Sequence, residues 1–189
     1  MRIFASTAAL FALTFSVLAM PPVPRKSPEF AVTDAAGKQI LLSSLKGKVV
    51  VIPFMFTTCP HCQSEAKMLT KLQSEVGPGV AILGVAFNDG VNAATVNQFV
   101  REFGVGFPVG FATRDAVISY LGLSVMDRWV VPQVAVIDKK GNVVAQSQPS
   151  GSPELQEESS LRALLMKLLK EPAGNSSAAP AAKTTAKRN

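Results

Sequence analysis

An almost unbroken apolar run from Val49 to Phe56 limits the possible folds more than any other stretch of the chain. It is rich in β-branched residues, which is typical of a central strand buried on both faces. Pro53 removes one hydrogen-bond donor from this strand, so we expect a local irregularity there. From Pro60 the apolar residues recur at helical spacing until Gly77, which ends the helix. A buried strand leading into a helix predicts an α/β fold.

The same alternation continues along the chain and indicates the order of the other elements. An N-terminal β-hairpin over 30–42 and a second buried strand over 80–87 flank this first strand and helix. The later pattern predicts a helix over 96–103, a strand over 107–109, a helix over 115–121, a hairpin over 134–146 and a last helix over 155–169. The expected fold is an α/β sandwich around a central mixed sheet, with helices on both faces.

The two ends of the chain differ in composition from its middle. Residues 1–20 have a positive start, an uncharged apolar stretch and a small-x-small site at Val17-Leu18-Ala19, which predicts a signal peptide or an N-terminal membrane anchor. We expect a Pro-rich linker over 21–28, one domain over 29–171 and a disordered Ala/Ser/Lys tail over 172–189. Export to the periplasm or another extracytoplasmic compartment would allow a cysteine pair to stay oxidised.

The net charge of +6 does not indicate a nucleic-acid-binding protein. Much of the basic excess comes from Arg2 and from three residues of the C-terminal tail, Lys183, Lys187 and Arg188. A nucleic-acid-binding domain would carry a basic stripe on its folded part, and the sequence shows none.

Both cysteines and the only histidine of the chain lie within four positions, as Cys59-Pro60-His61-Cys62. A structural zinc site needs about four ligands, and no second Cys or His pair exists to complete one. A purely structural disulfide would close too short a loop to stabilise the fold much. Neither a metal site nor a structural disulfide therefore accounts well for the cluster.

Thiol–disulfide exchange fits the position of the pair better. Cys59 is predicted at the N-cap of a helix, with Pro60 at the first helical position, where its missing N–H costs nothing. The helix dipole and a cationic His61 both favour a thiolate at Cys59. Cys62 lies less than one turn later and can attack a mixed disulfide formed at Cys59. A Cys-x-x-Cys in a strand–helix context is typical of a thioredoxin-like redox motif.

At the level of whole motifs, the chain resembles the TlpA/ResA-like exported thiol-disulfide oxidoreductases of the thioredoxin superfamily, which belong to the wider AhpC/TSA grouping. The resemblance spans about 28–171. It is carried by Phe30-x-x-x-Asp34-x-x-Gly37, Leu45-Lys46-Gly47-Lys48, Cys59-Pro60-His61-Cys62-x-x-Glu65, Phe107-Pro108-Val109, Val131-Pro132-Gln133 and Ile137-Asp138-Lys139-Lys140-Gly141. It implies a thioredoxin-like fold.

The resemblance also implies a role for each matching residue. Cys59 would be the attacking cysteine and Cys62 the resolving one, forming a redox-active disulfide with no other cofactor. Pro132 would be the cis-proline facing the pair, with the Val131 backbone pairing with a bound substrate strand. Glu65 would modulate the cysteine pKa values. Protein thiols or disulfides and a separate redox partner are the implied partners, with a possible membrane tether through residues 1–20.

Three departures from the family pattern bear on specificity. Thr58 stands where the family usually has tryptophan, and Trp129 is a candidate to supply the aromatic substrate-binding surface instead. Cys-Pro-His-Cys is the motif of the oxidant DsbA, whereas this family is mostly reducing. Val-Val-Pro-Gln replaces the Gly-Ala-Pro-Glu of members dedicated to cytochrome c maturation, so that role is not implied.

Two rival functions share parts of this pattern. A peroxiredoxin, with antioxidant activity, uses Pro-x-x-x-Thr-x-x-Cys; Pro53 and Thr57 fit, but Cys59 comes one residue too early. An SCO-like copper chaperone uses Cys-x-x-x-Cys and a distant histidine, and this chain has neither. Soft thiolates can still bind Cu(I). Both rival functions stay as alternatives at this stage.

Overall fold

The computed structural model describes residues 20–124 and 126–173. Within them the strands are β1 Arg25–Lys26, β2 Ala31–Asp34, β3 Gln39–Leu41, β4 Val49–Met55, β5 Val80–Ile82, β6 Gly84–Ala86, β7 Val109–Phe111, β8 Gln133–Ile137 and β9 Asn142–Gln146. The α-helices are α1 Pro60–Val76, α2 Ala93–Phe103, α3 Arg114–Leu121, α4 Pro153–Gln156 and α5 Glu158–Lys170, and a 3-10 turn spans Leu42–Leu45. One mixed sheet has the order β1-β9-β8-β4-β6-β7-β2-β3, with β5 also paired to β4.

The predicted central strand is β4, and all seven of its residues are buried. It pairs antiparallel with β8 and parallel with β5 and β6. The expected irregularity at Pro53 falls on the neighbouring strand: the predicted single strand over 80–87 is broken at Leu83 into β5 and β6. The β4 register places this break opposite Ile52 and Pro53, where the strand lacks one N–H.

Two apolar layers cover the two faces of the sheet. Side chains along β4 alternate between them, with Val49, Val51 and Met55 on one face and Val50, Ile52 and Phe54 on the other. The first face packs against α1, α2 and α5, and the second packs against α3 and the N-terminal segment. The predicted α/β sandwich with helices on both faces is confirmed, and its connectivity places Cys59 at the carboxyl end of β4.

The N-terminal region is more closely integrated than the sequence indicates. The predicted hairpin forms from β2 and β3, and β2 also joins β7. The contact is so close that a methyl group on Gly110 would lie 2.5 Å from the Thr33 carbonyl oxygen, so glycine is needed there. Within the predicted linker, Arg25 and Lys26 form β1 and pair antiparallel with β9. The Arg25 side chain also donates a hydrogen bond to Gln146 Oε1 at 2.6 Å. The segment over 21–28 is therefore part of the sheet.

The two predicted ends of the chain lie almost wholly outside the described residues. Of the leader only Met20 is described, and of the tail only Pro172 and Ala173. The predicted last helix is divided into α4 and α5 because Glu157 takes an extended conformation, with φ −92° and ψ 127°. Its carboxylate instead accepts hydrogen bonds from the hydroxyls of Ser159 and Ser160, each at 2.5 Å.

Candidate active site

Cys59 lies in the short loop between β4 and α1, at the N-cap of the helix. Its backbone is extended, with φ −85° and ψ 121°, and Pro60 takes the first helical position. The Cys59 N–H donates to the Phe56 carbonyl at 3.1 Å, and the Thr57 N–H donates to Asn88 Oδ1 at 3.0 Å. These hydrogen bonds hold Cys59 at the N-terminal end of α1, where the helix dipole is positive.

The two cysteines differ in their exposure to solvent. Cys59 is half-buried, Cys62 is fully buried, and both are free thiols. Burial raises the pKa of the Cys62 thiol well above its ordinary value, and negative charge on Cys59 or Glu65 would raise this pKa further. Cys59 is therefore the cysteine that an incoming macromolecule contacts first, and Cys62 lies behind it as a protonated thiol.

Glu65 lies one helical turn beyond Cys62 and is 6% exposed. Neither of its carboxylate oxygens has a hydrogen-bond partner among the described residues. Burial raises the pKa of Glu65 to about 8, because the charged form loses its hydration there. Near neutral pH this side chain is therefore mostly a neutral acid, and it can exchange a proton with a neighbouring group.

The peptide bond between Val131 and Pro132 is cis, and the Val131 carbonyl lies beside Cys59. The Cys59 thiol lies 3.9 Å from the Val131 carbonyl oxygen, within range of a weak S–H···O contact. Pro132 is buried, and its own carbonyl accepts a hydrogen bond from Gln156 Nε2 at 3.0 Å. The fold thus brings together residues that are more than 70 positions apart in the sequence.

Residues 23–146 match the AhpC/TSA family. The chain belongs to the AhpC/TSA family. This match starts within the segment predicted as a linker, in agreement with the pairing of β1 in the sheet.

Individual relatives and solved structures show which members of the AhpC/TSA family this chain resembles. It is 33% identical over 125 residues to the thiol-disulfide oxidoreductase ResA of Bacillus thuringiensis (strain Al Hakam), covering 66% of this chain and 68% of that protein. A thioredoxin-family thiol:disulfide interchange protein of Chlorobium tepidum TLS superposes with a TM-score of 0.62 at 25% identity, over 79% of this chain and 99% of that one.

The thioredoxin domain of a Bacteroides vulgatus thiol-disulfide oxidoreductase has the same fold. Its TM-score is 0.63 at 19% identity, over 79% of this chain and 99% of that domain. The similarity to ResA and to the Chlorobium tepidum protein confirms the predicted resemblance: the chain is a ResA/TlpA-like member of the thioredoxin superfamily and an enzyme of the thiol-disulfide oxidoreductase class.

The remaining predicted site residues surround the pair at different distances from it. His61 is exposed, and so is Thr58, which borders a separate depression towards α2. Trp129 packs against Phe56, three positions before Cys59, with ring centroids 6.3 Å apart. A cleft of about 350 Å³ beside the pair is lined by His61, Ser64, Glu65, Met68, Pro132 and Gln156.

Among residues 20–124 and 126–173, no three His, Cys, Asp or Glu side chains are grouped as metal ligands would be. No helix in the same ranges is both long and apolar enough to cross a membrane.

The sequence analysis assigned no role to two glutamines that support the cis-proline segment. Gln156 reaches it from α4, and no pattern in the sequence marks this residue. Gln133 directly follows Pro132 and is fully buried; its Nε2 donates to the carbonyls of Val130 at 2.8 Å and Gln148 at 3.1 Å, with that of Pro149 at 3.3 Å. The replacement of Glu by Gln in the Pro-Glu pattern was a usable signal, because three converging carbonyls require a donor at this position.

Replacement of Gln133 by glutamate should destabilise the protein by about 2 kcal/mol at pH 7.5, because a buried carboxylate would face three carbonyl oxygens without a donor. The new carboxyl would have a raised folded-state pKa, so its protonated form would restore part of the stability as the pH falls to 5. Urea unfolding at the two pH values measures both effects. Gln39→Glu, at an exposed position of β3, is the matched control; an equal loss for Gln133→Glu at both pH values would contradict this account.

Proposed function

We propose that this protein exchanges disulfides with protein thiols in an extracytoplasmic compartment, through a redox-active disulfide between Cys59 and Cys62. The arrangement that supports this proposal most directly is the pairing of a half-buried N-cap thiol with a fully buried thiol of raised pKa. The first can attack a large substrate, and the second is protected until a mixed disulfide has formed beside it.

In the reducing direction the Cys59 thiolate attacks one sulfur of a substrate disulfide, and the other substrate sulfur leaves as a thiolate and takes up a proton. Cys62 then loses its proton and attacks the Cys59 sulfur. The second substrate thiolate leaves and is protonated, and the Cys59–Cys62 disulfide remains. Two electrons pass to the substrate, and the reverse sequence oxidises it.

Glu65, the buried carboxyl one turn away, is assigned as the group that accepts the proton lost by Cys62 and returns it in the reverse direction. A pKa of about 8 lets this group both donate and accept a proton near neutral pH. Its neutral form also avoids placing a negative charge beside the departing or attacking sulfur. Pro60 and His61 are assigned to tuning of the Cys59 thiolate, through the helix start and through positive charge.

The substrate-binding surface is assigned to the cis-proline segment, which lies beside the cysteine pair. The Val131 backbone would pair with an extended substrate strand next to Pro132, as in β-augmentation. Thr58 and Trp129 would border this strand on the surface. Residues 1–20 would serve as the export signal or membrane tether, 29–171 as the catalytic domain and 172–189 as a tail.

Two features favour opposite directions of electron flow, so a measurement must decide between them. A cationic His61 would stabilise the Cys59 thiolate and so the reduced protein, which makes an oxidant. The surrounding framework resembles a family that is mostly reducing, which favours a reductant. Similarity to ResA-type relatives agrees with the second alternative.

Equilibration with glutathione buffers tests the proposal, with insulin reduction and refolding of a reduced disulfide protein assayed in parallel. A potential near about −270 mV would define a reductant and one near about −120 mV an oxidant. Peroxide consumption and Cu(I) binding are measured on the same preparation. Rapid peroxide turnover, or stoichiometric Cu(I) binding without thiol exchange, would replace the proposal with a peroxiredoxin-like or copper-chaperone function.

A further inference from the structure

Arg114, the first residue of α3, lies over an aromatic platform formed by Phe56, Phe87 and Trp129. Its guanidinium carbon is 5.7 Å from the Phe56 ring centroid and 5.6 Å from that of Trp129. Phe87 completes the platform, with its centroid 4.8 Å from Phe56 and 5.7 Å from Trp129. Stacking of this kind orients a guanidinium while its N–H donors stay free for hydrogen bonds.

The platform borders the candidate active site at two points of the chain. Phe56 accepts the Cys59 N–H through its backbone carbonyl, so it belongs to the same loop as the reactive sulfur. Trp129 is two residues before Val131, whose carbonyl lies 3.9 Å from Cys59 Sγ. Arg114 therefore holds a positive charge at the rim of the surface that a substrate of Cys59 must cover.

Within the described residues, Arg114 makes one ion pair, to Asp89, with Nη2 at 3.2 Å from Oδ1. The Asp89 side chain is 93% exposed and that of Arg114 is 42% exposed. Exposed ion pairs of this kind contribute about 0–1 kcal/mol, so a carboxylate from another molecule can replace Asp89 at little cost. Contacts with the described residues occupy one of the five guanidinium donors, and the planar fork can bind a carboxylate through two of the others.

We propose that Arg114 is a specificity-determining residue that binds a carboxylate of the protein substrate close to the reacting cysteine. The proposal rests on the disulfide-exchange function of Cys59 and names its preferred substrates, which are cysteines flanked by Asp or Glu. Asp89 is the internal carboxylate that a substrate must displace. A bound substrate also shields the pair from water, which strengthens the attraction between guanidinium and carboxylate.

Matched peptide disulfides test this preference on the full chain. Three peptides differ only in the residue beside the cysteine, which is Glu, Gln or Lys, and the second-order rate constant with reduced protein is measured for each. We expect Arg114→Gln to lower the rate for the Glu peptide about threefold to tenfold and to leave the Gln peptide nearly unchanged. Asp89→Asn should raise the rate for the Glu peptide, and 0.5 M NaCl should reduce the preference of the wild-type protein.

Arg101→Gln, which removes the same charge from an exposed position on α2, is the control and should leave all three rates unchanged. An equal loss for all three peptides in Arg114→Gln would show that the arginine only supports the aromatic platform, and it would overturn the proposal. Equal wild-type rates for the three peptides would refute the preference and leave disulfide exchange standing. No reaction with any peptide or with insulin would refute the exchange function itself.

Discussion

Replacement of Cys59 by serine should abolish disulfide exchange, lowering the rate on the order of a thousandfold or more, because a hydroxyl is not ionised near neutral pH and cannot form a mixed disulfide. The fold should survive the change. Cys59 is half-buried and occupies an N-cap, a position at which serine is among the preferred residues. Insulin reduction and circular dichroism on the same sample separate lost chemistry from lost structure.

Cys62→Ser should give a different result, since it removes the resolving sulfur and leaves the attacking one. We expect one round of attack and then a stable mixed disulfide between Cys59 and the substrate, visible by mass spectrometry without reductant. Ser74→Ala, at an exposed position of α1, should retain wild-type turnover. Full activity of Cys59→Ser in both the reducing and the oxidising assay would disprove the assigned order of attack.

Local sequence patterns were sufficient to predict most of the fold. Val49–Phe56 is apolar almost throughout because both faces of β4 are covered. Helix α1 ends at Gly77, which lacks a side chain and takes φ 76°. The interruption of the neighbouring strand at Leu83 was less visible. It arises opposite Pro53 on another strand, and a single run of apolar residues does not carry that information.

Tertiary contacts explain the structure of two segments that composition alone does not predict. Pro21 to Pro28 has the composition of a stiff linker, yet Arg25 is held by Gln146, more than 100 positions later. Such a contact depends on β9 being an open edge, which only the assembled sheet reveals. Similarly, Glu157 interrupts the last apolar helical pattern through its own carboxylate and two following serines.

The candidate site follows the same division between local and distant information. Cys59, Cys62 and Glu65 occupy one helix start, and Pro132 precedes a recognisable strand, so motif spacing was enough to select them. The spacing could not show that Glu65 is buried without a partner, nor that Gln156 supports Pro132. Arg114 was missed because its significance comes from stacking on Phe56 and Trp129, which are distant from it in the sequence.

Glu65→Gln should make the protein more stable than wild type at pH 8.5 by about 4 kcal/mol, while the two proteins should differ little at pH 4.5. Burial raises the pKa of Glu65 to about 8 in the folded protein, from an ordinary value of 4.5. The folded protein therefore retains a proton that the unfolded chain releases as the pH rises through this interval. Unfolding becomes more favourable over the same interval, so the stability of the wild-type protein falls with rising pH.

Urea unfolding between pH 4.5 and 9, with both cysteines reduced as in the structure, measures this difference. Glutamine is neutral throughout, so the pH-dependent part of the wild-type loss should be absent in the variant. Glu102→Gln, at an exposed position of α2, should follow the wild-type curve. The same variant should slow the step in which Cys62 exchanges its proton and leave the first attack by Cys59 nearly unchanged. Parallel stability curves for wild type and Glu65→Gln would show that Glu65 is ionised in the folded protein, and that the proton of Cys62 must be carried by another group.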